Sequence, residues 1–267
     1  YSAMGWFIVK NRIQAFIVTL GGMLAFKGAF WLVIESTTVP VVRGGEQNLY
    51  SSLTTYYLPP MAGLVLAAVV MAVLTGLSLQ GRRRRQAVGA RVPSVEETFL
   101  KLFVAGQAIL LAVLVCNQYQ GVPLAFLILC AVAATVQVLT RHTPFGRYLY
   151  AIGGNEEAAV VSGVPTRRVV IVAFTLLGLV VAITGFMATA YAGASTTTVG
   201  DLMELDAIAA CVIGGTRLKG GRGTVLGALF GALIMASLLN GMTLLAVAPE
   251  LKFMVRGAVL APAVWMD

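Results

Sequence analysis

Apolar runs of about twenty residues, long enough at ~1.5 Å per residue to cross a hydrocarbon core of ~30 Å, recur along this chain between polar or basic intervals. They cover residues 13–34, 58–79, 99–116, 123–140, 169–191 and 223–247, with a shorter run at 253–266. A bilayer offers no water to bare backbone groups, so runs of this kind are helices. The fold class that follows is all-α: a polytopic transmembrane helical bundle, read as one domain over residues 1–267. Residues 2–10 read as the tail of a further helix.

Composition supports the same class. The mean hydropathy is +0.88 and only 11% of residues are charged, where a soluble domain carries about a quarter. A net charge of +8 and a pI near 9.7 raise the question of a nucleic-acid partner. The cations answer it, because they sit in the intervals: Lys10 and Arg12, Arg82 to Arg85, then Arg141, His142, Arg147, Arg167 and Arg168. Alternating basic intervals are the positive-inside pattern, so the expected contact is anionic membrane lipid and not nucleic acid. By the same rule 35–57, 117–121 and 192–206 lie outside. Cys116, Cys130 and Cys211 all fall in apolar segments with no metal-ligand spacing, so no metal is expected.

Two intervals break the regular pattern. The first is 207–213, seven apolar residues between Asp206 and Gly214, too short to span and therefore read as a half-membrane helix. The glycine-rich GGTRLKGGRG that follows needs protein or a water-filled cavity around it at membrane depth. Gly214, Gly215, Thr216, Gly220 and Gly221 are therefore candidate translocation-pathway residues. Lys27, inside an otherwise apolar run, either snorkels or lines the same path, and Asn240 is a further hydrogen-bonding candidate. Gln107, Gln118 and Gln137 compete with it, and an interhelical hydrogen bond is the plainer reading of each amide.

The second is YAIGGNEEAAVVSGV, 150–164, followed by Pro165. Asn155 suits an N-cap, Glu156 and Glu157 suit the positive end of a helix dipole, and Ala158 and Ala159 begin about two turns. Gly163 and Pro165 stop them. A short helix between two spans, with small residues including Gly153 and Gly154 at its approach, is shaped to fit a partner's groove; an interhelical loop with one helical turn is the plainer alternative.

Catalytic patterns do not occur. The sequence holds no GxxxxGK[ST] phosphate cradle, no HExxH, and no acid within the long apolar cores to bind a coupling ion. The chain is therefore read as no enzyme, with no cofactor, and its energy source lies elsewhere.

The 150–164 stretch resembles the cytoplasmic coupling segment of monosaccharide ABC importer permeases, the ribose, xylose and galactose group. A second block, ELDAIAACVIGGTRLKGGRGTVLGALFGALIMASLLNGM from Glu204, resembles the other signature of that family, and IQAFIVTLGGMLAFKG, GRRRRQAVG and VRGAVLAPAVWMD add to it. The extra hairpin around 81–122 makes the chain most similar to the xylose type. The resemblance implies a permease subunit of the bacterial inner membrane that moves a monosaccharide, xylose or a related pentose, into the cytoplasm. It also implies a separate cytoplasmic ATPase contacting Gly153 to Ala159 and Gly163, a periplasmic sugar-binding protein, and a second permease copy. A permease for several monosaccharides is the near alternative, a secondary carrier or channel the distant one. Family members open with further spans, so Tyr1 is expected to be internal to a longer protein. Arg217 and Lys219 stand where relatives carry Ser and Ala, and Val160-Val161 where an Arg-Leu pair is common.

Overall fold

The computed structural model describes residues 1–11, 13–35, 37–42, 48–87 and 94–265. The expected anchor Arg12, the Gly44-Gly45 pair, the end of the GRRRRQAVG block and the last two residues lie outside them. The described chain is all-α apart from four two-residue strands, and it divides into two compact units, residues 47–129 and residues 1–46 with 130–267.

In the first unit, α3 (Leu49–Thr55) opens with a capping box between Asn48 and Ser51. Strand β2 (Tyr57–Leu58) leads into α4 (Pro60–Ala87), and α5 (Val95–Asn117) returns to β3 (Val122–Pro123), which pairs antiparallel with β2. Helix α4 runs on through the basic cluster beyond the apolar run 58–79: arginine is a good helix former and its charge suits a helix C-terminus. Helix α5 starts earlier than the apolar run because Ser94 accepts a hydrogen bond from the Glu97 amide at 3.1 Å, with Glu96 and Glu97 in the first turn. Ala67, Val113 and Val122 form the buried cluster, with Leu58, Ile109 and Cys116 packed on it. Gly121, at φ +105°, sits against the Leu58 carbonyl, a conformation and approach that a side chain would forbid.

The second unit begins with α1 (Ser2–Asn11) and α2 (Ala15–Ile34). It resumes along α6 (Leu124–His142), then α7 (Pro144–Gly154), α8 (Glu156–Val161), α9 (Thr166–Ala192), α10 (Met203–Ile213), α11 (Val225–Leu244) and α12 (Pro249–Trp265). Strand β1 (Val39–Pro40) pairs with β4 (Ala194–Ser195), tying the far end of α2 to that of α9. Helix α1 packs on α9 through small residues: Gly5 faces Phe174 and Ile171, Tyr1 lies over Gly178, and Ser2 and Thr175 share a hydrogen bond of 2.9 Å. Gly185, one heptad beyond Gly178, faces open space, so only one of that glycine pair serves close packing.

Among the described residues, six helices are long and apolar enough to cross a membrane: α2, α4, α5, α6, α9 and α11. The seventh expected span is α12, with 17 residues, at the lower end of the length a bilayer needs; the helix continues through Pro262. Their side chains are mostly exposed, as on Leu32, Val33 and Phe16, which suits helices whose surroundings are as apolar as their own surface. The chain is a multi-pass membrane protein.

Candidate coupling and pathway site

The half-helix is real but longer than its apolar run. Helix α10 begins at Met203, with Glu204 and Asp206 in its first turn, where acids suit the dipole. Its 11 residues extend about 16 Å, half a bilayer core. It ends in a Schellman turn: the Thr216 amide donates to Cys211 O and the Gly215 amide to Val212 O, both at 2.9 Å, with Gly215 at φ +81°. Gly220 and Gly221 also have positive φ, and the Arg217 amide donates to Arg222 O at 3.0 Å, closing a compact loop. Thr224 then caps α11 by accepting from the Gly227 amide at 3.0 Å.

α10 and α11 form a close antiparallel hairpin. A Cβ on Gly227 would strike the Gly214 carbonyl, and one on Gly231 the Ala210 carbonyl. Backbones meet here directly, as small residues in membrane helices allow. Ala209, Ala210 and Met235 make the buried cluster of the hairpin, with Val259 of α12 against it. Arg256 of α12 reaches Asp206, Nε to Oδ1 3.0 Å, at a partly buried pair.

The 150–164 stretch contains two helices. α7 carries Pro144 at its start and runs through Gly154, so Tyr150, Gly153 and Gly154 are helical and the approach to the capped turn is ordered. The Asn155 side chain accepts from the Ala158 amide at 2.9 Å. α8 then carries Glu156 and Glu157 in its first turn and Ala159 as its buried residue. It closes in a second Schellman turn, Val164 amide to Ala159 O and Gly163 amide to Val160 O, both 3.0 Å, with Gly163 at φ +79°. Val161 is 88% exposed and Val160 52%, so the helix offers an apolar outer face.

The two signature stretches meet. Gly153 and Gly154 lie on Gly220 and Gly221: a Cβ on Gly153 would come 2.5 Å from the Gly221 nitrogen, and one on Gly221 3.1 Å from the Gly154 Cα. The Tyr150 hydroxyl donates to Gly223 O at 2.9 Å. The glycines first singled out as pathway residues thus also form the seat of α7.

Lys27 and Asn240 are not brought to that seat. Lys27 Nζ lies 2.7 Å from Oδ1 of Asp201, in the turn just before α10. The hairpin register that sets Ala210 against Gly231 puts the exposed Asn240 level with the start of α10, at the end opposite the glycine loop. Sequence reasoning missed the partners of Tyr150, Lys27 and Asp206. An unmatched lysine in an apolar run was the one visible signal, and its acid lies 174 residues away.

A bundle of membrane-crossing helices, interrupted by a half-length helix and carrying a capped amphipathic turn between two spans, defines a transport permease. The profile of the family described as branched-chain amino acid transport system / permease component matches residues 2–264, and the chain belongs to that family. It is 40% identical over 263 residues to the xylose transport system permease protein XylH of Escherichia coli K12, covering 98% of this chain and 66% of that protein. Identity to XylH of Haemophilus influenzae is 39%, over 98% of this chain and 69% of the relative. The ribose import permease protein RbsC of Bacillus subtilis is 42% identical over 151 residues, 57% of this chain and 47% of that protein. The chain thus spans about two thirds of the length of its xylose-type relatives. No solved structure matches.

Proposed function

We propose that the chain is the membrane-spanning subunit of an ABC importer that moves a monosaccharide, xylose or a related pentose, across the bacterial inner membrane into the cytoplasm. The observation that carries this reading is identity of about 40% along 98% of the chain to proteins named as xylose transport permeases. In it, residues 1–267 act as one transmembrane domain and perform no chemistry of their own. A separate cytoplasmic ATPase docks on α8, a periplasmic binding protein delivers the sugar, and a second copy of the permease completes the passage.

The contact between signatures supplies a route for force. A rigid displacement of α8 moves α7, to which Asn155 joins it, and α7 bears on Gly220 and Gly221 through backbone with no flexible side chain between. The load then reaches the α10–α11 hairpin, whose loop residues Gly214, Gly215, Thr216, Gly220 and Gly221 border the pathway at one end. Lys27 and Asn240 border it near the other. The ribose permease match supports a second reading in the same class, a permease for several monosaccharides.

The test is reconstitution in lipid with the ATPase and the loaded binding protein. Xylose-stimulated ATP hydrolysis and uptake are expected. Gly215→Leu, which forces a branched side chain on a residue at φ +81°, should block uptake while the ATPase still co-purifies. Uptake that persists after the ATPase is removed would point to a secondary carrier or channel and end the proposal.

A further inference from the structure

Between the basic-end halves of α4 and α5 lies a partly open cavity of about 450 Å³, within the ~300–1,000 Å³ usual for small-molecule sites. Its lining is of two kinds. Leu74, Leu77 and Leu102 are apolar, and Arg82, Lys101, Ser78 and Thr98 are charged or polar. The cavity exists because the hairpin is tight only at its other end. There Ala67, Val113 and Val122 are buried together, and the Met71 side chain reaches across to Gly106.

No acid among the described residues lines the cavity. Glu97, one turn from Lys101 on α5, does not come within ion-pair distance of it, and the two ion pairs among the described residues lie elsewhere. The Thr98 hydroxyl donates to the Ser94 carbonyl at 3.0 Å, as Thr75 donates to its own helix, whereas the Ser78 hydroxyl makes no hydrogen bond among the described residues. Two uncompensated cations and one available hydroxyl, that of Ser78, therefore share a cavity with three leucines. Such a mixed lining matches a molecule with an anionic, oxygen-rich head and a hydrocarbon tail.

We infer that this cavity binds an anionic phospholipid of the leaflet on the basic side. Arg82 and Lys101 hold the phosphate, the Ser78 hydroxyl donates to its oxygens or to the glycerol, and the first methylenes of one acyl chain lie on Leu74, Leu77 and Leu102. Arg83, Arg84 and Arg85 follow in the same helix and remain as the orientation signal when Arg82 is changed. Recognition at the cavity is thus separable from topology.

The full-length permease, purified from membranes in mild detergent, is examined by native mass spectrometry and then by exchange in nanodiscs. These contain phosphatidylcholine alone or with one fifth phosphatidylglycerol. The parent is expected to retain one phosphatidylglycerol per chain that phosphatidylcholine does not displace. R82Q/K101Q should lower that retention by about five-fold per cation removed, with an unchanged thermal unfolding curve. A105W, which keeps both charges but fills the slot, should also expel the lipid. Competition distinguishes the sources: short-chain phosphatidylglycerol should displace the bound lipid, whereas glycerol 3-phosphate, the head without the chains, should not. Equal retention of phosphatidylcholine, full displacement by glycerol 3-phosphate, or unchanged retention in both variants would each overturn the inference. So would a parent that carries no lipid, which would leave the slot to a neighbouring helix.

Discussion

The hydroxyl of Tyr150 donates to the carbonyl oxygen of Gly223, 2.9 Å away and 73 residues along the chain. It pins the helix before the capped turn to the last glycine of the loop that joins the half-helix to its partner. Beside it Gly153 rests on Gly221 with no room for a Cβ. The two contacts differ in kind, one a single neutral hydrogen bond and the other a steric seat.

Their removal should therefore have graded effects. Tyr150→Phe keeps the ring and loses one hydrogen bond, about 1 kcal/mol, and sugar-stimulated ATP hydrolysis should fall by several-fold. Gly153→Ala places a methyl against backbone that cannot move aside, and should uncouple hydrolysis from uptake more severely. Gly185→Ala, whose Cβ meets nothing within 4 Å and which lies outside both signature stretches, is the control and should behave like the parent. Hydrolysis and uptake measured side by side in proteoliposomes check all three. If Gly153→Ala were as active as Gly185→Ala, the seat would carry no force.

The ends of α8 set a second series. Asn155→Ala removes the acceptor for the Ala158 amide and should cost about 1 kcal/mol of local helix stability, too little to unfold the protein. Glu156→Lys puts a cation at the positive end of the helix dipole. Gly163→Val forces a β-branched residue into φ +79° and should be worst, since only glycine or asparagine accepts that conformation readily. Co-purification of the ATPase should weaken in that order while membrane levels and binding-protein affinity for sugar hold. Three variants that couple like the parent would reduce α8 to a plain connection.

Lys27 and Asp201 predict a reciprocal pair. Lys27→Asp or Asp201→Lys alone juxtaposes like charges at 2.7 Å and should slow transport. The double exchange should recover most of the rate, because it restores an opposite-charge pair at the same two positions. Uptake by the two single variants and the exchange gives the coupling energy directly. A double variant as slow as the worse single one would mean that the position of the lysine matters rather than its pairing.

Arg256 and Asp206 are less exposed, 24% and 23%, and should be less forgiving. Arg256→Met strands a carboxylate beside the buried Ala209–Met235 cluster and should destabilise the protein more than the joint change Arg256→Met/Asp206→Leu does. Thermal unfolding in detergent, followed by retention of the monodisperse species, separates them. Equal loss in the single and joint variants would argue that the pair acts only through its bulk.

Topology is open to a simple check. In a background lacking Cys116, Cys130 and Cys211, a cysteine at position 197 should react with an impermeant thiol reagent in intact cells, and one at position 155 only after the membrane is opened. Reaction at 155 in intact cells would place α8 outside and remove its role.

Much of the architecture follows from short-range physics and was legible without coordinates. Apolar length alone marks the spans from 13–34 to 223–247, because a helix is the one local structure that satisfies its own backbone in lipid. The termini of α8 were equally plain. Asn155 and Gly163 act on groups three or four residues away, and such interactions are written in sequence order. Local rules also explain the errors of extent: α4 runs on through Arg82 to Arg85 because nothing in those residues opposes a helix, and α10 gains a turn from acids that hydropathy discounts. Pairing at long range is different. That Tyr150 meets Gly223, that Gly153 sits on Gly221, and that Lys27 finds Asp201 depends on how the chain's helices pack, and packing between helices of uniform apolarity leaves almost no periodic trace. Composition supplied the glycines; only the tertiary structure decided which glycines touch, since close backbone approach is a property of two segments at once and neither sequence carries it alone.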